Sequence, residues 1–204
     1  LEGVVKIKNW MVRDPITIGP HVSIGEAVDL MRKHSIRHLP VVEDDVMQGL
    51  VTESNIRQYS FPSMLQELSV SDVMIVNPIT VDLNASIDSA AQLIHKYKIG
   101  GLPVLEKRRL VGILTITDIL AAFIELLGLL QESSRLDVVL SEAGGTLDDI
   151  IRLIREMGGK VVSIGMEAQT SKKKTHYIRL EKGDLSSIVK ALEKQGHKVV
   201  SVLE

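Results

Sequence analysis

Residues 11–56 recur at residues 74–119 with one offset of 63 and no gap. Met11 meets Met74, Pro15 meets Pro78, Ala27 meets Ala90, Pro40 meets Pro103 and Gly49 meets Gly112. Of the 46 aligned positions 17 are identical, where ordinary residue frequencies give roughly 3 by chance. A chain that repeats itself this way builds one supersecondary unit twice. A unit of about 60 residues buries little apolar surface by itself, so the two copies are expected to pack as one pseudo-symmetric body.

Each copy carries the same local signals. A short extended piece (15–18, 78–81) precedes a helix opened by Ser23 or Ser86, whose hydroxyl can cap the first turn. Apolar residues then follow at helical spacing: Ile24, Ala27, Val28, Met31 and Ile87, Ala90, Ala91, Ile94. A proline-started strand follows (39–42, 102–105), then a charged turn, a second strand (47–51, 110–114) and a closing helix. The unit reads βαββα. The second closing helix is expected from Thr117 to about Glu132, with Leu126, Leu127, Leu129 and Leu130 serving a core, a domain connection or an oligomer surface.

The pattern changes after Glu132. A strand (136–140), a glycine loop, a helix (146–157) stopped by Gly158-Gly159, two strands (161–168, 176–180), a helix (185–195) stopped by Gly196 and a last strand (198–203) give βαββαβ. The expected fold class is α+β: two βαββα units in residues 1–132 (about 8–62 and 70–132), then a ferredoxin-like two-layer sandwich in 133–204.

Composition narrows the function. With 24 Lys+Arg against 26 Asp+Glu, the net charge of −2 supplies no field to attract nucleic acid or anionic lipid. Cysteine is absent, which removes disulfides, thiol catalysis and thiolate metal sites. Only six aromatic residues occur, too few for a base-stacking platform. The most apolar stretch, 119–130, is too short to cross a bilayer and carries Glu125, so a cytoplasmic protein is expected, with no nucleic acid and no membrane as partner. His34 and His38 have helical i,i+4 spacing, but Pro40 puts His38 beyond the helix end, and no metal is expected. Gly158-Gly159-Lys160 lacks the following Ser or Thr of a phosphate-binding loop, and the lysines at 172–174 read as a hairpin tip. No nucleophile-elbow or other catalytic spacing is present, so no catalytic residue is assigned and no enzyme is expected.

The chemically informative spots close each repeat: GLVTESNI at 49–56 and GILTITDI at 112–119. Thr115 and Asp118 lie three apart at a helix start. An ionised carboxylate there can accept two hydrogen bonds from a cis-diol while helix N-terminal amides face an anion, chemistry that suits a ribose bearing phosphate. The same pair also serves as an ordinary helix cap.

A tandem βαββα repeat with G-h-h-T-x-x-D closing each unit and h-x-x-L-P-V before it resembles a pair of CBS motifs, a Bateman module. The resemblance covers about residues 8–130 and implies adenosine-type ligands in two symmetry-related clefts. Each cleft would draw the T-x-x-D segment from one motif and the first strand and I-x-x-L-P segment from the other. The favoured cleft then joins Thr115 and Asp118 to Ile16, Thr17, Ile36, Arg37 and His38. Asp118 would hold the ribose, Arg37 and His38 a phosphate, and Ile16 and Ile36 the adenine. The second joins Thr52 and Asn55 to Thr80, Ile99, Gly100 and Gly101. Asn55 departs from the family's acid, and two glycines stand where the basic pair stands opposite, which implies weaker binding there.

Residues 133–204 resemble an ACT domain by architecture and by the Gly144-Gly145-Thr146-Leu147 turn, although the proline often found before that glycine is missing. This implies Glu142, Gly144, Gly145 and Leu147 as candidates for an amino-acid ligand. A CBS pair followed by ACT resembles the bacterial acetoin-utilisation B family. The expected function is a cytoplasmic regulatory sensor of an adenine nucleotide (AMP, ADP or ATP, with S-adenosylmethionine or NAD sharing the adenosine), homodimeric, acting on a protein the sequence does not identify. No catalytic cofactor is expected. The alternative is an oligomerisation or docking scaffold with empty clefts.

Overall fold

A computed structural model describes residues 5–59, 67–141, 143–166 and 174–203. The chain forms two compact units, Leu1–Ala122 and Phe123–Glu204.

In the first unit a short 3-10 turn, Ile7–Asn9, leads to β1 (Val12–Arg13), α1 (Ile24–His34), β2 (His38–Glu43), β3 (Val46–Thr52) and α2 (Glu53–Arg57). The second copy runs through α3 (Val70–Val73), β4 (Ile75–Val76), β5 (Val81–Asp82), α4 (Ile87–Tyr97), β6 (Gly101–Glu106), β7 (Arg109–Thr115) and α5 (Ile116–Leu126). The expected caps form: Ser23 Oγ accepts from the Glu26 amide at 3.2 Å and Ser86 Oγ from the Ser89 amide at 3.1 Å. Apolar faces of α1, β2 and β3 meet in a core of Ile24, Ala27, Met31, Leu39, Val41 and Val51.

The copies exchange strands. β1 pairs antiparallel with β7 of the other copy, Val12 opposite Ile113, and β4 pairs with β3, Ile75 opposite Leu50. These registers are related by the offset of 63, as are the bridges Lys6–Ser86 and Ser23–Ser69. Reciprocal contacts of this kind define a two-fold relation. The sheets are therefore β1-β7-β6-β5 and β2-β3-β4. The exchange starts before Met11, where the sequence repeat begins: Ile7 N–H donates to Ala85 O at 3.0 Å and Val70 N–H to Val22 O at 2.8 Å, again 63 apart.

Backbone geometry repeats even where side chains do not. Among the described residues eight non-glycine residues have positive φ, and they form four mated pairs: Asp14/Asn77, Ser35/Lys98, Asp44/Lys107 and Asp45/Arg108. The last two pairs place consecutive positive-φ residues in the β2–β3 and β6–β7 turns, the conformation of tight hairpins.

The helix expected to reach Glu132 ends at Leu126. Gly128 takes φ +64°, its amide reaches Glu125 O at 3.0 Å and the Leu129 amide reaches Ile124 O at 3.0 Å. That is a glycine-terminated C-cap within the leucine-rich run, which helical periodicity concealed.

The second unit comprises β8 (Ser133–Val139), α6 (Leu147–Glu156), β9 (Val161–Met166), β10 (Thr175–Glu181), α7 (Ser186–Lys194) and β11 (Lys198–Leu203). All pairings in its sheet are antiparallel, in the order β11-β8-β10-β9. This is the ferredoxin-like βαββαβ topology. Leu136, Val138, Ile178 and Leu180 share one sheet face and pack on Ile150, Ile154, Ile188 and Leu192 of the two helices.

Strand exchange leaves no room for a side chain where the visiting strand crosses. A Cβ on Gly112 would lie 2.5 Å from Met11 Sδ and 2.9 Å from Val12 O, and one on Gly49 would lie 2.7 Å from Met74 Sδ and 2.8 Å from Ile75 O. Gly112→Ala is expected to destabilise the first unit by about 1–3 kcal/mol, as overpacking does. In denaturant titrations Gly183→Ala, whose Cβ meets nothing within 4 Å, serves as control. Equal midpoints for the two variants would contradict the crossing.

Candidate functional site

The two T-x-x-D/N segments sit where β7 passes into α5 and β3 into α2. Each helix start is held by the strand-leading segment of its own copy: the Ile116 amide donates to Gly100 O at 3.1 Å, and the Glu53 amide to Arg37 O at 3.0 Å.

At the second copy's segment, the Thr115 amide and hydroxyl both donate to Asp118 Oδ2 at 2.7 Å. Oδ1 takes part in neither bond. The same box recurs at Thr146–Asp149, where the amide and hydroxyl donate to Oδ2 at 2.8 Å. There, however, Arg152 Nη2 donates to Oδ1 at 2.6 Å and completes the carboxylate. The Thr146 bonds, backbone first, hold the Asp149 carboxyl below the usual carboxylate range. Asp118 thus has the geometry of a cap with one carboxylate oxygen left over for a further donor, and the Ser69–Asp72 box likewise places both of its bonds on Oδ2, at 2.8 and 2.6 Å.

The first copy's segment offers different chemistry. The Thr52 hydroxyl donates to Asn55 Oδ1 and accepts from the Asn55 amide at 3.2 Å and shares a 2.9 Å bond with Ser54 Oγ. The Asn55 side chain offers an uncharged oxygen, already accepting from Thr52, and an NH₂ donor, where Asp118 offers a carboxylate.

The I-x-x-L-P segments carry the other candidates. Ile16 and Ile36 are half-buried and pack on the first copy's core. Thr17 and Arg37 are exposed, whereas Thr80 and Ile99 are half-buried. Among the described residues no hydrogen bond joins the side chains of Thr17, Arg37 or Thr80 to Thr115–Asp118 or Thr52–Asn55. His38 lies against the glycines of the other copy: a Cβ on Gly100 would fall 2.8 Å from its Nε2, and one on Gly101 would fall 3.4 Å from its Cδ2 and Nε2. Sequence reasoning placed His38 opposite these glycines and missed the contact. The one signal for it is that the motifs, identical at Ile36/Ile99 and Leu39-Pro40-Val41/Leu102-Pro103-Val104, differ only at 37–38 against 100–101. Burial, and secondarily the Arg37 charge, hold the imidazole below its ordinary pKa.

In the C-terminal unit a cleft of about 350 Å³ lies beside Gly144 and Gly145 and is also lined by Asp149, Arg152, Glu156 and Gln195. His197 braces its loop, accepting from the Ser141 amide on Nδ1 at 3.2 Å and filling the space a Gly144 side chain would need. Two of the four sequence candidates therefore line the cleft. Leu147 does not: it opens α6 and packs on the hydrophobic core. Glu142 lies outside the described residues.

Comparison with known proteins agrees with the repeat. The CBS domain family model matches residues 7–61 and 70–125. The CBS domain-containing protein YhcV of Bacillus subtilis is 31% identical over 114 residues, 55% of this chain and 81% of the relative. Inosine-5′-monophosphate dehydrogenases match too, but over at most 24% of their own length. Among solved structures, a Vibrio cholerae protein named for acetoin utilization (AcuB) is 31% identical with a TM-score of 0.56, covering 62% of this chain and 96% of its own. A CBS domain pair solved in complex with 5′-methylthioadenosine and S-adenosyl-L-methionine is 32% identical with a TM-score of 0.54, covering 59% of this chain and 96% of its own.

The His38 environment has a pH signature. Its folded pKa lies below the free value of about 6.5, so the unfolded chain binds more protons, and stability falls as pH drops below about 6.5 towards the folded pKa. Above that range the contribution is fully present. Wild-type melting temperature should fall more steeply between pH 7 and pH 5 than that of His38→Ala, as read by thermal unfolding. Parallel pH profiles would contradict this placement of the ring.

Proposed function

This chain belongs to the CBS domain family, and on that premise we propose that it is a regulatory sensor without chemistry of its own, binding an adenine ribonucleotide between its two CBS motifs. The observation that carries this reading is Asp118, fixed through Oδ2 by Thr115 and left with a charged Oδ1 for a ribose hydroxyl. In this reading adenine lies between Ile16 and Ile36, Thr17 and Thr115 face the sugar, and the phosphate meets Arg37 and His38. AMP, ADP and ATP are the ligands proposed first, with S-adenosylmethionine and NAD sharing the recognised adenosine. The similar pair solved with two adenosine compounds supports this ligand class. The second cleft, with Thr52, Asn55, Thr80, Ile99, Gly100 and Gly101, presents an amide in place of a carboxylate and binds a diol more weakly.

Residues 133–204 are proposed to be an ACT domain that receives the signal from the CBS pair through the chain segment containing α5. The ferredoxin-like topology and the cleft beside Gly144 and Gly145 support this, and the cleft's mixed charges suit the ammonium and carboxylate of an amino acid. The proposed setting is cytoplasmic and the proposed assembly a homodimer acting on a regulated protein, in the manner of the acetoin-utilisation B family. Among the described residues no helix is long and apolar enough to cross a membrane.

The second reading is a scaffold whose function is oligomerisation or protein docking. The missing acid at Asn55 and the exposed Leu126, Leu127, Leu129 and Leu130 favour it.

Thermal unfolding with nucleotides separates the two. At about 1 mM, a ligand with Kd near 10 μM adds roughly 2.7 kcal/mol, which corresponds to several degrees at about 2–4 °C per kcal/mol. AMP is expected to raise Tm, 2′-deoxy-AMP to raise it less, and Asp118→Ala to remove the AMP shift. A response unchanged in Asp118→Ala would sink the site, and a flat response to every nucleotide would favour the scaffold.

A further inference from the structure

A residue that touches its own symmetry mate must lie at the axis relating the two copies. His38 does so, since its mate is Gly101 and its ring lies at contact distance from a Cβ placed there. At Gly100, the mate of Arg37, an added Cβ would be closer to the ring than real Cβ atoms come. The repeat breaks here, to histidine on one side and paired glycine on the other, and with the ring in this position a side chain at Gly100 has no room.

Backbone register ties the ring to both T-x-x-D/N segments. The Cα of His38 stands opposite Thr52, and that of Gly101 opposite Thr115. Beneath the ring, the Gly100 carbonyl accepts from the Ile116 amide at 3.1 Å, so the segment on which His38 rests also holds the start of the helix carrying Asp118. Displacing the ring or filling the glycine moves that anchor.

We propose that His38 is a positioning residue shared by the two clefts: seated on Gly100 and Gly101, it fixes the segment that anchors Thr115 and Asp118, so that glycines assigned to one cleft set the ribose recognition of the other. The ligand part rests on the nucleotide-sensor reading; the seating of the ring does not.

The test compares wild type, Gly100→Ala, His38→Ala and the double variant in the full chain, by thermal unfolding and by calorimetric titration with AMP and 2′-deoxy-AMP. Gly100→Ala should lower Tm, and much of that loss should vanish when residue 38 is alanine. It should also weaken AMP about fivefold or more, within the usual range of site coupling, and narrow the preference for AMP over 2′-deoxy-AMP. His38→Ala, which also removes a phosphate contact, should weaken AMP at least as much, and adding Gly100→Ala in that background should weaken it no further. Equal Tm losses in both backgrounds overturn the seating. Multiplying affinity losses, or an unchanged ribose preference, overturn the shared role. If Gly100→Ala does not fold, Gly101→Ala makes the same comparison more gently, its Cβ meeting His38 at 3.4 Å and Leu114 O at 3.3 Å. Wild type that binds no AMP overturns the nucleotide reading and the shared role with it, while the Tm comparison still decides the seating.

Discussion

Two residues from each copy, Val12–Arg13 and Ile75–Val76, complete the sheet of the other, and the rest of the CBS pair follows from that exchange. Neither sheet is whole without its visitor. Main-chain hydrogen bonds at the crossing leave space for hydrogen alone at Gly49 and Gly112. Among the described residues the same geometry repeats four backbone conformations at positive φ with a different side chain in each copy, none of which gains the steric ease of glycine. Backbone is therefore what the repeat preserves, and side chains are free to diverge on it.

That freedom has been used to make the two sites unlike. One copy ends β7 with Thr115 and a carboxylate, the other ends β3 with Thr52 and an amide. Like the Ser69–Asp72 box, Thr115–Asp118 places both cap bonds on Oδ2, whereas in the Thr146–Asp149 box Arg152 takes the second oxygen. Asp118 differs from it in that one oxygen. His38 meets Gly100–Gly101 across the two-fold relation, and its ring fills the space that a side chain at Gly100 would need.

Much of this was legible in the amino-acid sequence. A single offset of 63 predicts two copies, Ser23 and Ser86 mark their helices, and Gly158 and Gly196 mark the ends of two more. These are local signals, each carried by a residue with one strong conformational or capping preference. What escaped was non-local or hidden by composition. Strands of two residues have no periodicity, so Val12–Arg13 and its mate could not be seen, nor the pairing that exchanges them. The stop at Gly128 lay inside a leucine run that reads as continuous helix. His38 was assigned to a cleft by motif, and its contact with Gly101 emerges only when both copies fold together. Leu147, a ligand candidate by its place in the glycine turn, packs partly buried against the core.

The most direct test of the central claim is a crystal structure of the chain grown with AMP. The account requires nucleotide density between the two CBS motifs, with a ribose hydroxyl within hydrogen-bond distance of Asp118 Oδ1 and the phosphate on the side of Arg37. Nucleotide bound elsewhere, or this cleft empty at saturating AMP, would contradict it.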